Sequence, residues 1–210
     1  MPVTELNQLD PQDYYTYADY LTWQFRERVE LILGKIFPMS PAPGSQHQHV
    51  VLSLSINLQL QLKQKGNPCM IFPAPFDVIF PNPEGNSNTI LQPDITVVCD
   101  HSKIRKQGCV GVPDLVVEVV SPGSARHDLR TKFKTYESHR VQEYWIVYPL
   151  EQNLIVYTLN NEGKYQASIP VTIGDPINSN LFPDLNLDLG DVFKNVVYEP
   201  EPPYADLVRI

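Results

Sequence analysis

Three shortages frame what this chain of 210 residues can be. No apolar run approaches the roughly 18 residues needed to span a bilayer, so a transmembrane helix is not expected. Cysteine is scarce: Cys69, Cys99 and Cys109 are odd in number and show no CxxC spacing. That count predicts neither a disulfide framework nor a zinc site. Residues 1–10 hold no basic side chain and no apolar stretch, so no secretory leader is expected there, and a reducing cytoplasm is the expected home. Positive charge is short as well. Sixteen Lys and Arg stand against 24 Asp and Glu, a net charge of −8. Phosphate-backbone affinity comes mostly from Lys and Arg, so a nucleic-acid partner would have to be met by a local basic stripe and a metal ion.

Proline, by contrast, is abundant. Twenty residues are about twice ordinary usage, which punctuates the chain with loops and argues against an all-helical bundle. No repeat or low-complexity tract is present, and the expectation is an arm (1–15) followed by a single domain (16–210). Thr16 is a candidate N-cap for a short helix through Gln24. Residues 28–33 and 35–39 flank Gly34 as a hairpin. Apolar residues at 51, 54, 58 and 62 predict one long amphipathic helix over 45–65. Short strands are expected at 69–72, 77–80 and 94–99, with Pro, Asn and Gly filling the gaps. Residues 114–120 read as a strand buried on both faces, 125–140 as a helix, and 143–148, 154–159 and 164–169 as a meander. The sum is a mixed α/β domain with a largely β C-terminal half.

The most informative residue is Glu118, a carboxylate inside Leu115-Val-Val-Glu-Val-Val120. Burying an ionised carboxylate is costly unless it is paired or bound to a metal; the alternative is an edge strand with Glu118 in water. Asp94, in Gln92-Pro-Asp-Ile-Thr, sits at a strand entry, where it is either a turn former or a second carboxylate that shares a Mg²⁺ with Glu118. A phosphoryl-transfer site also needs a cation to orient the attacking water. On a helical wheel Leu129, Phe133 and Tyr136 define a buried stripe, with Lys132 on its border and Lys134 toward solvent. Lys132 can therefore reach the carboxylates, or it can snorkel to solvent and pair with Asp128 one turn back. Ser121-Pro-Gly-Ser124 offers either a phosphate-binding helix start or a plain Ser-capped turn. His47 and His49 do not share a helical face and are expected in solvated or hydrogen-bonded roles rather than as a metal pair.

The order Pro93-Asp94, then Glu118 in an apolar strand, resembles the PD-(D/E)xK nuclease superfamily. More narrowly, Glu30-Leu-Ile-x-Gly34, Ser40-Pro41, His49, Pro93-Asp94, residues 113–122, Asp128-x-x-x-Lys132-x-x-x-Tyr136 and Glu143-Tyr-Trp-Ile-Val147 resemble the bacterial putative restriction endonuclease family. The resemblance implies a restriction-endonuclease-like α/β core, a central mixed sheet flanked by helices with a C-terminal β meander. It implies that Asp94 and Glu118 bind Mg²⁺, with Mn²⁺ a possible substitute, that the Val119 carbonyl completes the protein ligands, and that Glu30 contributes through water. In such proteins the catalytic lysine often sits on the following helix, which implies Lys132. The chain departs from the family at Leu33, Lys35 and Tyr148, where acidic residues are common.

The reading that follows is a Mg²⁺-dependent endonuclease that hydrolyses DNA phosphodiester bonds, cytoplasmic and homodimeric. Two other classes stay open at this point: a noncatalytic homomeric binding or accessory protein on the same fold, favoured by the acidic charge, and a phosphoesterase acting on RNA or a small substrate.

Overall fold

Residues 115–119 form a central strand because every one of their side chains is apolar or, in the single case of Glu118, supplied with buried partners. The protein, seen in a computed structural model, is described over residues 2–39, 44–82, 84–121 and 123–196. Ser40, Pro41 and Pro122 of the motif series lie outside those residues.

The elements follow the expected order. A short helix α1 (Tyr17–Tyr20), capped by Thr16, precedes the hairpin β1 (Val29–Ile32) and β2 (Lys35–Pro38). The hairpin turns on Leu33 and Gly34, both with positive φ (50° and 80°), the conformation that matches a two-residue turn to strand twist. Then come the long helix α2 (Ser45–Gln64) and the strands β3 (Met70–Pro73), β4 (Val78–Pro81), β5 (Ser87–Leu91), β6 (Ile95–Val98), β7 (Ile104–Arg105), β8 (Gly108–Val110) and β9 (Leu115–Val119). A π-helical segment, His127–Lys132, runs into α3 (Phe133–Ser138), and β10 (Glu143–Tyr148), β11 (Asn153–Leu159), β12 (Tyr165–Ala167) and α4 (Leu189–Phe193) complete the order. The mixed α/β class is as expected. β5, β7 and β8 were expected as loop; β5 begins with the polar Ser87, Asn88 and Thr89, which mask its strand character.

The strands assemble into two six-stranded sheets. One runs β12-β11-β10-β9-β6-β3, the other β2-β1-β5-β4-β8-β7. In the first, β9 lies parallel to β10 and antiparallel to β6. One face of this sheet, carrying Ile95, Val97, Leu115, Val117, Val119, Trp145 and Val147, packs on Val50, Val51, Leu54, Leu58 and Leu62 of α2. The opposite face carries Val98, Val116, Tyr144 and Ile146 into a second core shared with Val78, Phe80 and Leu91 of the other sheet and with Tyr136. The seam between the sheets is thus formed by the face of β9 that carries Glu118.

Three further observations bear on the sequence reading. Residues 3–15 are tied to the body: Val3 bridges Trp23, Leu9 is buried, and the Tyr15 N–H donates to the Gly34 carbonyl. Cys69 and Cys99 are joined as a disulfide, contrary to the expectation of none. They are 30 residues apart, but β3 and β6 pair Met70 with Val98, so the two cysteines face each other across neighbouring strands. Local spacing carries no trace of such a pairing, and the bond sits poorly with the expected reducing compartment. No helix among the described residues is long and apolar enough to cross a membrane.

Candidate functional site

The site is built where β9 ends. Because β6 runs antiparallel to β9 with Ile95 opposite Val117, Asp94, just ahead of β6, comes level with Glu118 and Val119. The Val119 N–H donates to Oδ2 of Asp94 at 2.8 Å. Glu30 arrives from β1 in the other sheet, and its carboxylate accepts the Gln92 N–H at 3.0 Å. Asp94, Glu118, Glu30 and Lys132 line one cavity of about 280 Å³, together with Asp128, His47, His127 and Arg28.

Lys132 is the hub. Its ammonium lies 2.9 Å from Oε1 of Glu118, 3.1 Å from Oε1 of Glu30 and 3.6 Å from Oδ1 of Asp128. The inward alternative is the one the structure holds: Lys132 is buried rather than turned to solvent, and it meets Glu118 and Glu30 as well as Asp128, with no ion pair to Asp94 among the described residues. Lys134 is exposed. The predicted stripe, however, is rotated: Leu129 is 36% exposed, while Asp128, Lys132, Thr135 and Tyr136 are buried. The wheel assumed an α-helix centred on its apolar residues. The segment is wound as a π-helix, a feature frequent at functional sites, and it turns its polar residues inward because what it packs against is a cluster of carboxylates.

Several neighbours were missed from sequence. His47 Nε2 lies 3.1 Å from Oδ2 of Asp94, and its side chain is buried. A signal existed, since the α2 stripe at 51, 54, 58 and 62 continues back four residues to 47. His49, as expected, goes elsewhere, to the Lys194 carbonyl. His127 Nε2 lies 3.0 Å from Oε2 of Glu30, and the Tyr136 hydroxyl donates to Oε1 of Glu118 at 2.7 Å. Gln92 ties the site to its rim: its side-chain oxygen accepts from Nη2 and Nε of Arg28 at 2.6 and 3.1 Å, and its Nε2 donates to Asp77 at 2.6 Å. Ser121 and Ser124 hydrogen-bond each other across their turn, so the capped-turn reading describes their hydroxyls.

The electrostatics follow from crowding. Burial pushes Glu118 well above the usual carboxylate range, opposed by Lys132 and reinforced by Asp128, Asp94 and Glu30. Burial pushes Glu30 up too, but Lys132, His127 and the Gln92 N–H outweigh it and hold its carboxyl below that range. Asp128 is raised, chiefly by burial. For Lys132, burial works against the charge, yet the surrounding carboxylates dominate and keep it protonated.

Whether a divalent cation suits this cavity can be judged from its oxygens. No three His, Cys, Asp or Glu side chains among the described residues are grouped as a ready cage. Mg²⁺, however, usually keeps several waters and takes only one or two carboxylates. Among the described residues, Oε2 of Glu118 and Oδ1 of Asp94 accept no hydrogen bond, whereas the other oxygen of each is fixed. Both carboxylates of Asp128 and Glu30 also line the cavity, so four acidic groups face two permanent cations, Arg28 and Lys132. The surplus negative charge and the two free oxygens fit a hard divalent ion. Glu30 differs: both its oxygens are already taken, by Gln92 and Lys132 and by His127.

A mixed sheet with one carboxylate on a central strand, a second at the entry to the neighbouring strand, and a buried lysine from the next helix on the first of them places the protein in the restriction-endonuclease-like class. The fold agrees with that of a crystal structure described as a putative nuclease from Anabaena variabilis, with a TM-score of 0.63 and 21% identity over 85% of this chain and 97% of that one. The chain belongs to the Uma2 family, described as putative restriction endonuclease, whose profile matches residues 17–190. An uncharacterized protein of Synechocystis sp. is 32% identical over 89 residues, 40% of this chain and 47% of that protein. The chain thus spans about half the length of that relative.

Proposed function

We propose that the protein is a Mg²⁺-dependent endonuclease that hydrolyses DNA phosphodiester bonds, with Mn²⁺ as a substitute. The observation that carries this reading is the pair Asp94 and Glu118, each with one oxygen fixed and, among the described residues, one free, facing one cavity with Lys132 held on Glu118. Asp94 and Glu118 would hold the ion. The Val119 carbonyl would join them: its N–H points to Asp94, its carbonyl shares that side of the strand, and continuing the β6 register sets it opposite Pro93, which has no N–H to offer. Glu30, fully engaged, would act on Lys132 and His127 and reach an ion only through water.

A bound divalent ion supplies charge neutralisation at the phosphate and a more acidic water. The protein's own residues do the rest. Lys132, kept protonated by its carboxylates, orients the attacking water and offers a donor to the phosphate oxygens. His47 and the Val119 N–H fix Asp94 in one orientation. If both strands of a duplex are cut, two sites are required, and exposed Leu150, Ile169 and Ile173 offer a surface for a second copy. Sedimentation showing only monomer at micromolar concentration would remove the homodimer.

The test is cleavage of plasmid and oligonucleotide DNA with Mg²⁺ or Mn²⁺, expected to vanish with EDTA and in Glu118→Gln. Calorimetry should show Mn²⁺ binding by the wild type and weakened binding by Asp94→Asn. DNA bound but left intact across pH and salt would replace this reading with that of an accessory binding protein.

A further inference from the structure

Beside the carboxylate cavity lies a second one of about 270 Å³, walled by Tyr20, Trp23, Phe25, Arg26, Arg28 and Gln92. Arg28 and Gln92 line both cavities. The three aromatic side chains are partly exposed. Trp23 and Phe25 stack at 5.6 Å and 28°, and Tyr20 leans on Trp23 at 5.5 Å. Tyr20 and Trp23 also pack on the small core around Leu31, Ile79 and Ile90, but Phe25 belongs to none of the apolar clusters among the described residues. A ring held at the surface against another ring, without a core beneath it, has little to do for folding.

Between the two cavities Arg28 is held in a fixed pose. Its Nε and Nη2 are spent on Gln92, and Gln92 is itself fixed by Asp77 and Glu30. Nη1 donates to nothing among the described residues. A planar guanidinium with free N–H groups suits a phosphate. At the pocket wall Arg26 and Arg28 outnumber one carboxylate, Glu27. Aromatic faces beside a basic group are the means by which proteins hold unpaired bases, and stacking matters most where an acidic surface offers duplex backbone little charge.

We propose that the aromatic pocket holds one unpaired DNA base next to the phosphodiester to be cut, with Arg28 on the intervening phosphate, so that the substrate is DNA with unpaired nucleotides. This rests on the nuclease reading for its purpose. The pocket itself is tested without cleavage.

In EDTA, a short single-stranded oligonucleotide should quench tryptophan emission, and the quench reports Trp23, because Trp145, the second of two tryptophans, is fully buried. Anisotropy should show tighter binding of the single strand than of a blunt duplex of the same sequence. Phe25→Ala should weaken single-strand binding about tenfold, the scale of one lost base stack, and bring the ratio of the two affinities toward one. Phe25→Leu, which keeps apolar bulk and loses the π face, should do the same with an unchanged thermal midpoint, and serves if the alanine variant unfolds. Arg28→Lys should weaken binding less and leave the quench. Equal affinity for single strand and duplex in the wild type, no quench at saturation, or no effect of Phe25→Leu would overturn the proposal. Quench without cleavage by Mg²⁺ or Mn²⁺ would keep the pocket and remove the nuclease; cleavage of blunt duplex without quench would do the reverse.

Discussion

Glu118 and Glu143 invite comparison, because each puts a carboxylate into an apolar strand of the same sheet, on the parallel neighbours β9 and β10. Both are buried, at 2% and 0% exposure. Their partners divide them. Glu143 is saturated by neutral donors: the Asn180 and Leu181 N–H groups on Oε1, at 2.6 and 3.1 Å, and Trp145 Nε1 and Ser179 Oγ on Oε2, both at 2.9 Å. It fastens the segment that carries Phe182 over the α2-side core. Glu118 crowds all its described partners onto one oxygen, one of them a cation, and keeps the other oxygen for the cavity. Burial shows that a carboxylate has partners. Only the identity of those partners separates a fastener from a reagent.

The sharpest way to break the comparison is to neutralise each glutamate in turn. Glu118→Gln should lower kcat by about 10²–10⁴-fold, the range for a lost proton-handling group, while the protein stays folded by circular dichroism. Full activity in that variant would end the distinction. Glu143→Ala should do the opposite, leaving kcat per folded molecule within about twofold and lowering stability by about 3 kcal/mol in urea unfolding, because several buried donors lose their acceptor.

A smaller effect is expected at one remove from the proposed ion. His47→Ala should weaken Mn²⁺ binding about 10- to 100-fold, as for groups that orient a metal ligand, and His47→Gln, which keeps a donor toward Asp94, should restore part of it. Calorimetry that finds equal affinity in all three proteins would make His47 a packing residue.

The smallest effect is on stability against pH without metal. Glu118 holds its proton above the ordinary value of 4.5, so the folded protein keeps a proton that the unfolded chain releases, and stability falls as pH climbs from there toward the raised folded value. Glu30, held below its ordinary value, has the opposite sign: its contribution is present above 4.5 and is lost as pH falls through its folded value. Urea unfolding in EDTA between about pH 5 and 8 should show a falling slope that Glu118→Gln flattens. An unchanged slope would assign that proton elsewhere.

Legibility from sequence followed the range of the interaction. Helix α2, the β1–β2 hairpin and β9 were plain because period, turn chemistry and a continuous apolar run are local. Glu118 stood out for the same reason. The same cue would have flagged Glu143, however, and nothing in the order of residues says that Glu143 meets the N–H groups of Asn180 and Leu181. Leu129 was misplaced because a wheel built on α-helical winding assumes an apolar neighbour. His47 was within reach of periodicity, but its partner 47 residues on was not.

By itself, then, the sequence determined the mixed α/β class, the main elements and the candidate carboxylates and lysine, since those depend on side-chain period and on the cost of burying charge. Tertiary structure alone decided which strands are neighbours, and with them the Cys69–Cys99 bond, the meeting of Glu30 from one sheet with Glu118 from the other, and the cavity Arg28 shares with an aromatic pocket. Those contacts join residues tens of positions apart, and their energies exist only once strand register has fixed which side chains share a face.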